Sequence, residues 1–387
     1  MRAGRYVKQT AGYSAFNPAP LPPDPPVKLD GELTHLLSEA DRSLGRLDGV
    51  ASVVPNPDLF VAMYVRQEAV LSSQIEGTQS TLEDVLQFEI DEKGRELPKD
   101  VEEVVNYVRA MNYGLARLKE LPLSLRLIRE IHAELLKGVR GAHRTPGEFR
   151  RSQNWIGPEN CTLATATFVP PPVPEMHEAL DNLEKFLHDE KSLPALLHCG
   201  LAHAQFETIH PFLDGNGRVG RLLITFLLCQ GGILQRPLLY LSHFLRAHRA
   251  EYYDRLMAIR NDGDWEGWLK FFVRGVDEVS TEATENAQAI LRIREQHRQT
   301  IAAELGGNAF ALPLLDFLFE QPIVTISMVE RRLKCVYVTA SKLVEQFVRL
   351  GLLKETTGHR RNRRYRYDPY LALFESAGRG ENKGTGA

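Results

Sequence analysis

Twelve consecutive residues, His210–Arg221 (HPFLDGNGRVGR), combine side chains whose types and spacing suit the chemistry of a charged polyphosphate. His210 can act as a general base. Asp214, four residues later, offers the hard oxygen ligands that Mg²⁺ prefers. Neither residue alone is informative, because a lone histidine at a helix end is usually a cap and an aspartate near glycines usually forms a turn. Their combination in one short segment predicts a phosphate-handling site.

The second half of the segment supplies groups that bind anions. Gly215 and Gly217 flank Asn216 at the start of a predicted helix, where main-chain N–H groups and the helix dipole favour a phosphate. Arg218 and Arg221 lie three residues apart on that helix, so both guanidinium groups can grip different phosphates of one ligand. The glycines also fit the G-x-G-x-x-G spacing, but a helix precedes them and no acidic residue lies about 20 positions further on, which argues against a nicotinamide site.

The segment resembles the signature H-x-F-x-[D/E]-G-N-G-R-x-x-R of the Fic family, whose members typically transfer AMP from ATP to a protein hydroxyl. Every fixed position matches. The resemblance implies His210 as general base, Asp214 as Mg²⁺ ligand, and a nucleotide-binding set of Gly215, Asn216, Gly217, Arg218 and Arg221. It extends over roughly residues 124–272 and includes a flap-like stretch, TATFVPPP, whose backbone in the family aligns an extended target by β-pairing. The residues expected to dock the target are Thr167, Phe168 and Val169.

A second segment, SSQIEG from Ser72 to Gly77, matches the [S/T]-x-x-x-E-[G/N] pattern associated with inhibition in Fic proteins. Ser72 and Glu76 lie four residues apart and share one face of a predicted helix. In the family this glutamate pairs with the second arginine of the motif, here Arg221. A carboxylate there removes the positive charge that the γ-phosphate of ATP would use. Taken alone, the pattern also fits an ordinary surface carboxylate near the end of a helix.

Composition excludes several classes of protein. A formal net charge of -3 and 43% hydrophobic residues fit neither a disordered chain nor one that coats nucleic acid. The four cysteines form no CxxC pair, which indicates reduced thiols. The N-terminus lacks the apolar run of a signal peptide, and glycine, proline and charged residues interrupt the most apolar stretch. We therefore expect a soluble cytoplasmic protein without a membrane span.

Helical periodicity dominates and predicts a mainly α fold: a Fic-type helical core with a small β-hairpin flap, followed by a C-terminal winged helix-turn-helix domain. The proline-rich first stretch should be an extended arm or disordered. The expected divisions are an N-terminal arm and helices, including the inhibitory helix (1–110), the catalytic core (111–278), a connecting helix (279–308), the winged helix domain (309–375) and a disordered tail (376–387).

The C-terminal domain has the most basic patch of the chain, at the tip of its predicted hairpin. Its members are Lys354, Arg360, Arg361, Arg363, Arg364 and Arg366. Such a patch suits contact with nucleic-acid phosphates, yet winged helices also dock proteins, and the predicted recognition helix is not strongly basic. The sequence leaves both interpretations open.

The resulting hypothesis is an autoinhibited protein adenylyltransferase that uses Mg²⁺ and ATP to modify a Ser, Thr or Tyr hydroxyl of a target protein or of itself. One alternative is another transfer at the same site, such as a different nucleotide, phosphocholine, phosphate or the removal of AMP. The other is a DNA-binding regulator that senses nucleotides. The sequence identifies neither the target nor the base preference, and a homodimer would be unsurprising.

Overall fold

The computed structural model describes residues 2–52, 57–90, 98, 100–139, 144–158, 160–189, 193–359 and 362–378. The described chain is mainly helical, as predicted, with short antiparallel strands near both ends. None of its helices is both long enough and apolar enough to cross a membrane.

The N-terminal arm forms a β-hairpin of strands β1 (Gly4–Lys8) and β2 (Ser14–Pro18). The prolines that follow prevent helix formation, as expected, but the strands before them pair. Phe16 of β2 is fully buried and stands 6.1 Å from Phe168, measured between ring centroids. The arm is therefore part of the folded body.

The N-terminal helices precede the catalytic segment. They are α1 (Gly31–Ser52), α2 (Pro57–Ile75), α3 (Leu82–Ile90), α4 (Val101–Arg117) and α5 (Leu125–Leu135). Helix α2 contains the SSQIEG pattern at its C-terminal end and packs against α4 and α8. The helix ends at Ile75, because Gly77 adopts a φ of +98° that cannot continue it. Glu76 therefore lies just after the last residue of α2.

The core continues with α6 (Val173–Leu187), α7 (Ala195–Ile209), α8 (Asn216–Gln230), α9 (Ser242–Ala247) and α10 (Arg249–Asp262). Helix α7 is apolar around most of its circumference and is buried from Leu196 to its end, as expected for a central helix. Helix α8 packs against it. The junction between these two helices contains the predicted phosphate site.

The segment between α5 and α6 was predicted to form a hairpin flap. Among its described residues the only β-pairing is between Ile156 and Phe168, whose main chains exchange two hydrogen bonds of 2.8 and 3.0 Å. Three consecutive prolines after Val169 lack N–H donors, so they cannot extend the pairing. The flap is thus a loop pinned at one residue pair.

Helix α11 (Trp265–Leu305) is longer than the predicted connector, since it begins inside the core and runs through the expected boundary between residues 278 and 279. Its first half is buried, with Trp268 fully enclosed, and α1 packs along it. Ile301, near the end of the helix, is buried as well, so the connector and the core share one continuous helix.

The C-terminal region folds in the order α12 (Ala311–Glu320), β3 (Ile323–Thr325), α13 (Ile326–Leu333), α14 (Tyr337–Arg349), β4 (Lys354–Glu355), β5 (Arg364–Arg366) and α15 (Asp368–Gly378). The strands form an antiparallel sheet of order β3-β5-β4. Helix α15 extends into the predicted disordered tail, and residues 379–387 of that tail lie outside the described chain, as do Arg360 and Arg361 of the basic patch.

Candidate active site

His210 caps the C-terminal end of α7 in a left-handed conformation with φ +50°. This conformation is uncommon for a residue with a side chain, and the surrounding contacts must hold it. Its N–H donates to the Phe206 carbonyl at 2.9 Å. Its own carbonyl accepts from Arg150 Nε and Asn154 Nδ2, both at 3.1 Å. The backbone of His210 is therefore fixed from two elements.

The loop after His210 is closed by the side chain of Asn216. Its Oδ1 accepts from the Phe212 N–H and its Nδ2 donates to the Phe212 carbonyl, both at 2.8 Å. The side chain of Asn216 thus shapes the loop, and its main-chain N–H is one of the first N–H groups of α8, which have no acceptor within the helix.

A histidine outside the motif supports the same loop. His132 of α5 stacks on Phe212, with ring centroids 3.7 Å apart. Its Nδ1 accepts from the Gly147 N–H at 2.9 Å, so Nε2 donates to the Asp214 carbonyl at 3.0 Å. Burial lowers the pKa of His132 to about 4, which keeps the ring neutral and this pattern of donors intact.

The ring of His210 lies in a positively charged, enclosed setting. Burial, followed by the neighbouring guanidinium groups of Arg260 and Arg150, lowers its pKa to about 3. The imidazole is therefore neutral at physiological pH and has a lone pair available to accept a proton.

The N-terminus of α8 holds a carboxylate. A Cβ on Gly217 would lie 2.3 Å from Oε1 of Glu76, so the Glu76 carboxylate rests directly on the bare backbone of the motif. Gly215, one residue before the helix, has a φ of +78°, a left-handed conformation that favours glycine. The place predicted for a phosphate is occupied by the side chain of Glu76.

The same carboxylate pairs with Arg221, whose side chain is only 2% exposed. Arg221 Nη2 donates to Glu76 Oε1 at 2.6 Å and to the Ser72 carbonyl at 3.0 Å, while its Nε donates to Ser72 Oγ at 2.8 Å. Desolvation would raise the pKa of Glu76, but the positive charge of Arg221 outweighs it and the pKa is lowered. Glu76 is thus a bound anion.

Arg218 has different partners. Its Nη1 donates to Glu103 of α4 at 3.1 Å and its Nη2 to Asp214 Oδ1 at 3.4 Å. Asp214 Oδ1 also accepts from the Gly215 N–H at 2.6 Å, and its side chain is about one-third exposed, at 35%. Arg218 and Arg221 therefore lie near the same cleft with separate carboxylate partners.

The three predicted flap residues differ in their exposure and in their main-chain contacts. Thr167 is exposed, whereas Phe168 and Val169 are buried. Both main-chain polar groups of Phe168 are bonded to Ile156, and the carbonyl of Val169 accepts from the Phe16 N–H at 2.9 Å. The N-terminal hairpin thus occupies the flap edge at Val169.

Five residues that sequence reasoning missed complete the site: Glu103, His132, Arg150, Glu207 and Arg260. Arg150 is 1% exposed and donates to three main-chain carbonyls, including that of His210. Arg260 lies 3.9 Å above the ring of Phe168. Charged residues with such burial are rare, but spacing along the chain gives no signal for them because each comes from a different element.

Comparison with known proteins agrees with this geometry. Residues 34–116 match the model of the Fic/DOC family N-terminal region, and residues 122–228 match that of the Fic/DOC family itself. The chain therefore contains a Fic/DOC family domain at residues 122–228, preceded by the N-terminal region of that family. The second model ends two residues before α8 does and includes every predicted catalytic and nucleotide-binding residue.

Two curated relatives have informative names. A probable protein adenylyltransferase of Aquifex aeolicus is 32% identical over 45% of this chain and 51% of that protein. The protein adenylyltransferase Fic of Drosophila grimshawi is 31% identical over 51% of this chain and 38% of that protein. The chain therefore spans about half or less of the length of these relatives.

Solved structures extend the comparison of folds. A Fic family protein from Desulfovibrio desulfuricans G20 superposes with a TM-score of 0.57 at 19% identity, covering 88% of this chain and 97% of that one. A Fic domain containing signaling protein from Bacteroides thetaiotaomicron gives 0.50, covering 67% and 97%. The architecture described above is thus shared beyond the catalytic segment.

Proposed function

We propose that this protein is an autoinhibited protein adenylyltransferase that transfers AMP from ATP to a Ser, Thr or Tyr hydroxyl of a target protein or of itself. One observation carries the proposal: the Glu76 carboxylate rests on Gly217 and pairs with Arg221, where the motif would bind a phosphate. The names of the relatives point to the same reaction.

In this reaction His210 takes the proton of the acceptor hydroxyl. The hydroxyl oxygen attacks the α-phosphorus of ATP, and pyrophosphate leaves. The low pKa of His210, set by burial and by Arg260 and Arg150, provides the neutral base that this step requires. The N–H groups at Gly215–Gly217 and the guanidinium of Arg218 stabilise the negative charge that develops on the phosphates.

Mg²⁺ would be held by Asp214. A single carboxylate fits this ion, because Mg²⁺ on nucleotides takes most of its ligands from phosphate oxygens and water. The side chain of Asp214 is partly exposed, and its described hydrogen bonds involve only Oδ1. Both features are consistent with a role as a metal ligand. When bound, the ion neutralises phosphate charge.

Inhibition follows from competition for Arg221. With Glu76 in place, the guanidinium is neutralised and the γ-phosphate of ATP loses its partner, so that ATP binds in an unproductive pose. Glu76→Gly should raise self-labelling by an ATP analogue tagged near the α-phosphate by roughly 10- to 100-fold, the worth of a charge-assisted hydrogen bond. Equal labelling of the variant and the parent would refute the inhibitory role.

The other reactions at this site have a direct test. Intact-mass analysis of Glu76→Gly with Mg²⁺ and ATP should show a mass gain matching AMP, and His210→Ala in that background should lower the rate by about 100-fold or more. A gain matching phosphate or another group, or loss of AMP from a modified target, would replace the proposed reaction while leaving the site intact.

The C-terminal region supports a second candidate function. Its order of helices and strands and its β3-β5-β4 sheet fit a winged helix-turn-helix, which we propose as a docking module for DNA or for a target protein. Val336, Tyr337 and Val338 at the start of α14 are all more than half exposed, which favours a protein partner for that helix. His210→Ala should abolish transfer and leave docking unchanged.

A further inference from the structure

A polar cavity lies where helix α3 meets the C-terminal module, away from the motif. It has a volume of about 240 Å³, and its lining residues include Arg331, Arg363 and Arg364 and the hydroxyl-bearing Ser327 and Tyr337. Ile90, the last residue of α3, forms part of its wall. No carboxylate occurs among its described lining residues, so its charge is positive.

Neither Arg331 nor Arg363 forms an ion pair with a carboxylate at close range within the described chain, although the charge of Arg363 contributes to the lowered pKa of Glu355. Arg331 Nε donates to the Ser327 carbonyl and Arg363 Nε to the His359 carbonyl. By contrast, Arg332, the neighbour of Arg331 in sequence, pairs with Glu320. Three arginines around one cavity that has no carboxylate among its described lining residues favour a planar or tetrahedral oxyanion.

The third arginine connects the cavity to the inhibitory region. Arg364 is buried and its Nη1 donates to Gln87 Oε1 of α3 at 3.1 Å. Helix α3 begins at Leu82, shortly after Glu76, and Ser80 in the intervening segment accepts from Gln74 through its carbonyl. A ligand that competes for Arg364 therefore acts on the helix that immediately follows the inhibitory glutamate.

We propose that this cavity binds a phosphate group, and that the bound phosphate draws Arg364 away from Gln87, loosens α3 and weakens the contact between Glu76 and Arg221. The regulatory half of this inference rests on the proposed function, whereas the binding half does not. Phosphate can be presented by a nucleic-acid backbone or by a small phosphorylated molecule, and both offer the oxygens that a guanidinium fork recognises.

The binding half is tested on the full chain with two probes. Fluorescence anisotropy with a labelled duplex DNA and calorimetry with inorganic pyrophosphate should be run on the parent, on Arg331→Ala with Arg363→Ala, and on Arg349→Ala. Arg349 is an exposed arginine of the same module outside the cavity. The double variant should lose at least tenfold in affinity and the control less than twofold.

The probes distinguish the sources of phosphate. Binding of DNA alone, weakened by salt, identifies a nucleic-acid backbone as the ligand. Binding of pyrophosphate identifies a small phosphorylated molecule. Binding of neither probe, or equal losses in the double variant and the control, would overturn the site.

The regulatory half is tested by self-labelling. The bound probe should raise labelling of the parent at least fivefold and leave Glu76→Gly unchanged, because that variant has no inhibitory contact to release. If Glu76→Gly labels but the parent does not respond to a bound probe, the link through α3 is wrong. If Glu76→Gly itself does not label, the failure lies with the proposed function.

A second inference, which rests on the role of His210 in the proposed function, concerns Glu207, one turn before His210 in α7. Its carboxylate is 8% exposed, and its Oε2 lies 4.0 Å from His210 Nδ1. Neither Glu207 Oε1 nor His210 Nδ1 has a hydrogen bond of normal geometry to a described residue. Gly220 of the motif makes room for this carboxylate, since a Cβ there would lie 2.3 Å from Glu207 Oε1.

We infer that Glu207 is a positioning residue for His210. When His210 Nε2 takes the proton of the acceptor hydroxyl, the O–H bond breaks and the N–H bond forms, and the Nδ1–H of the resulting imidazolium donates to the Glu207 carboxylate. The nearby positive charges of Arg150 and Arg260 oppose that imidazolium, so a carboxylate behind the ring has a specific use.

The test uses Glu76→Gly as the active background and adds Glu207→Gln or Glu207→Asp. Glu207→Gln should lower kcat at least tenfold, with KM for ATP changed less than twofold, and Glu207→Asp should recover part of the loss. The pH profile of kcat should also change, because Glu207→Gln removes a titratable carboxyl group that faces His210, Arg221, Arg260 and Tyr252. An unchanged kcat and pH profile in a folded Glu207→Gln protein would overturn the role.

Discussion

At the scale of single residues, the site is a set of matched charges. Glu76 takes the position of a phosphate because its carboxylate has the same charge sign and fits over Gly217, which has no Cβ to exclude it. Arg221 is buried and needs an anion, and in this state Glu76 supplies it. In the proposed function, inhibition and catalysis therefore compete for one guanidinium group.

This competition predicts that substitutions of Ser72 and Glu76 relieve the inhibition to different degrees. Ser72→Ala removes one of the three hydrogen bonds that hold Arg221, worth about 1 kcal/mol, and should raise self-labelling roughly fivefold. Glu76→Gln removes the charge and should raise it further, and Glu76→Gly most. Ser73→Ala, a buried neighbour that makes no contact with Arg221 in the described structure, is the control and should behave like the parent.

At the scale of elements, the motif depends on how the α7–α8 junction is braced. Arg150 and Asn154 hold the His210 carbonyl, His132 stacks beneath the loop, and Asn216 ties the loop to the start of α8. The strained φ of His210 persists because these contacts come from several elements at once. Contacts within the chain therefore determine the conformation of the junction.

The bracing by Asn216 can be measured. Asn216→Ala leaves the Phe212 N–H without its partner in a buried loop, whereas the Phe212 carbonyl keeps the bond from Asn154 Nδ2, and the change should lower the free energy of unfolding by about 1–3 kcal/mol. Urea denaturation should detect this loss, while Asn112→Ala on the exposed face of α4 should change stability by less than about 0.5 kcal/mol. Similar stability of the two variants would show that the loop does not need the amide.

At the scale of the whole molecule, buried carboxylates connect distant helices. Glu68 of α2 accepts hydrogen bonds from Tyr107 of α4 and from Ser242 of α9. Burial nevertheless raises its pKa from 4.5 to about 7. Glu207 has its pKa raised to about 7 by burial as well. In the folded protein these two carboxyl groups therefore stay protonated up to a higher pH than in the unfolded chain.

This difference fixes the sign of a pH dependence. Between about pH 4.5 and 7 the folded protein binds more protons than the unfolded chain, so the free energy of unfolding falls as pH rises through that window. Glu68→Gln should remove one contribution of up to about 3 kcal/mol and flatten the slope. Chemical denaturation at pH 5 and pH 7.5 measures it, and Glu120→Gln, a substitution at an exposed carboxylate, should leave the slope unchanged.

Much of the molecule could be predicted from local patterns. The helical periodicity predicted the mainly α fold, and the twelve-residue motif predicted the family whose model matches residues 122–228. Such features survive in sequence because neighbours along the chain determine them: a helix face repeats every 3.6 residues, and a glycine permits its own φ. The pairing of Glu76 with Arg221 was expected only through the family resemblance.

Tertiary structure alone decided how distant residues meet. The N-terminal arm forms a hairpin that contacts the flap at Val169, and α11 continues without a break from the core. Glu103, Arg150 and Arg260 contribute to the site from separate elements. Spacing along the chain does not encode these meetings, because burial and the packing of side chains from remote segments determine them. Which charges become partners is settled only when the helices have packed.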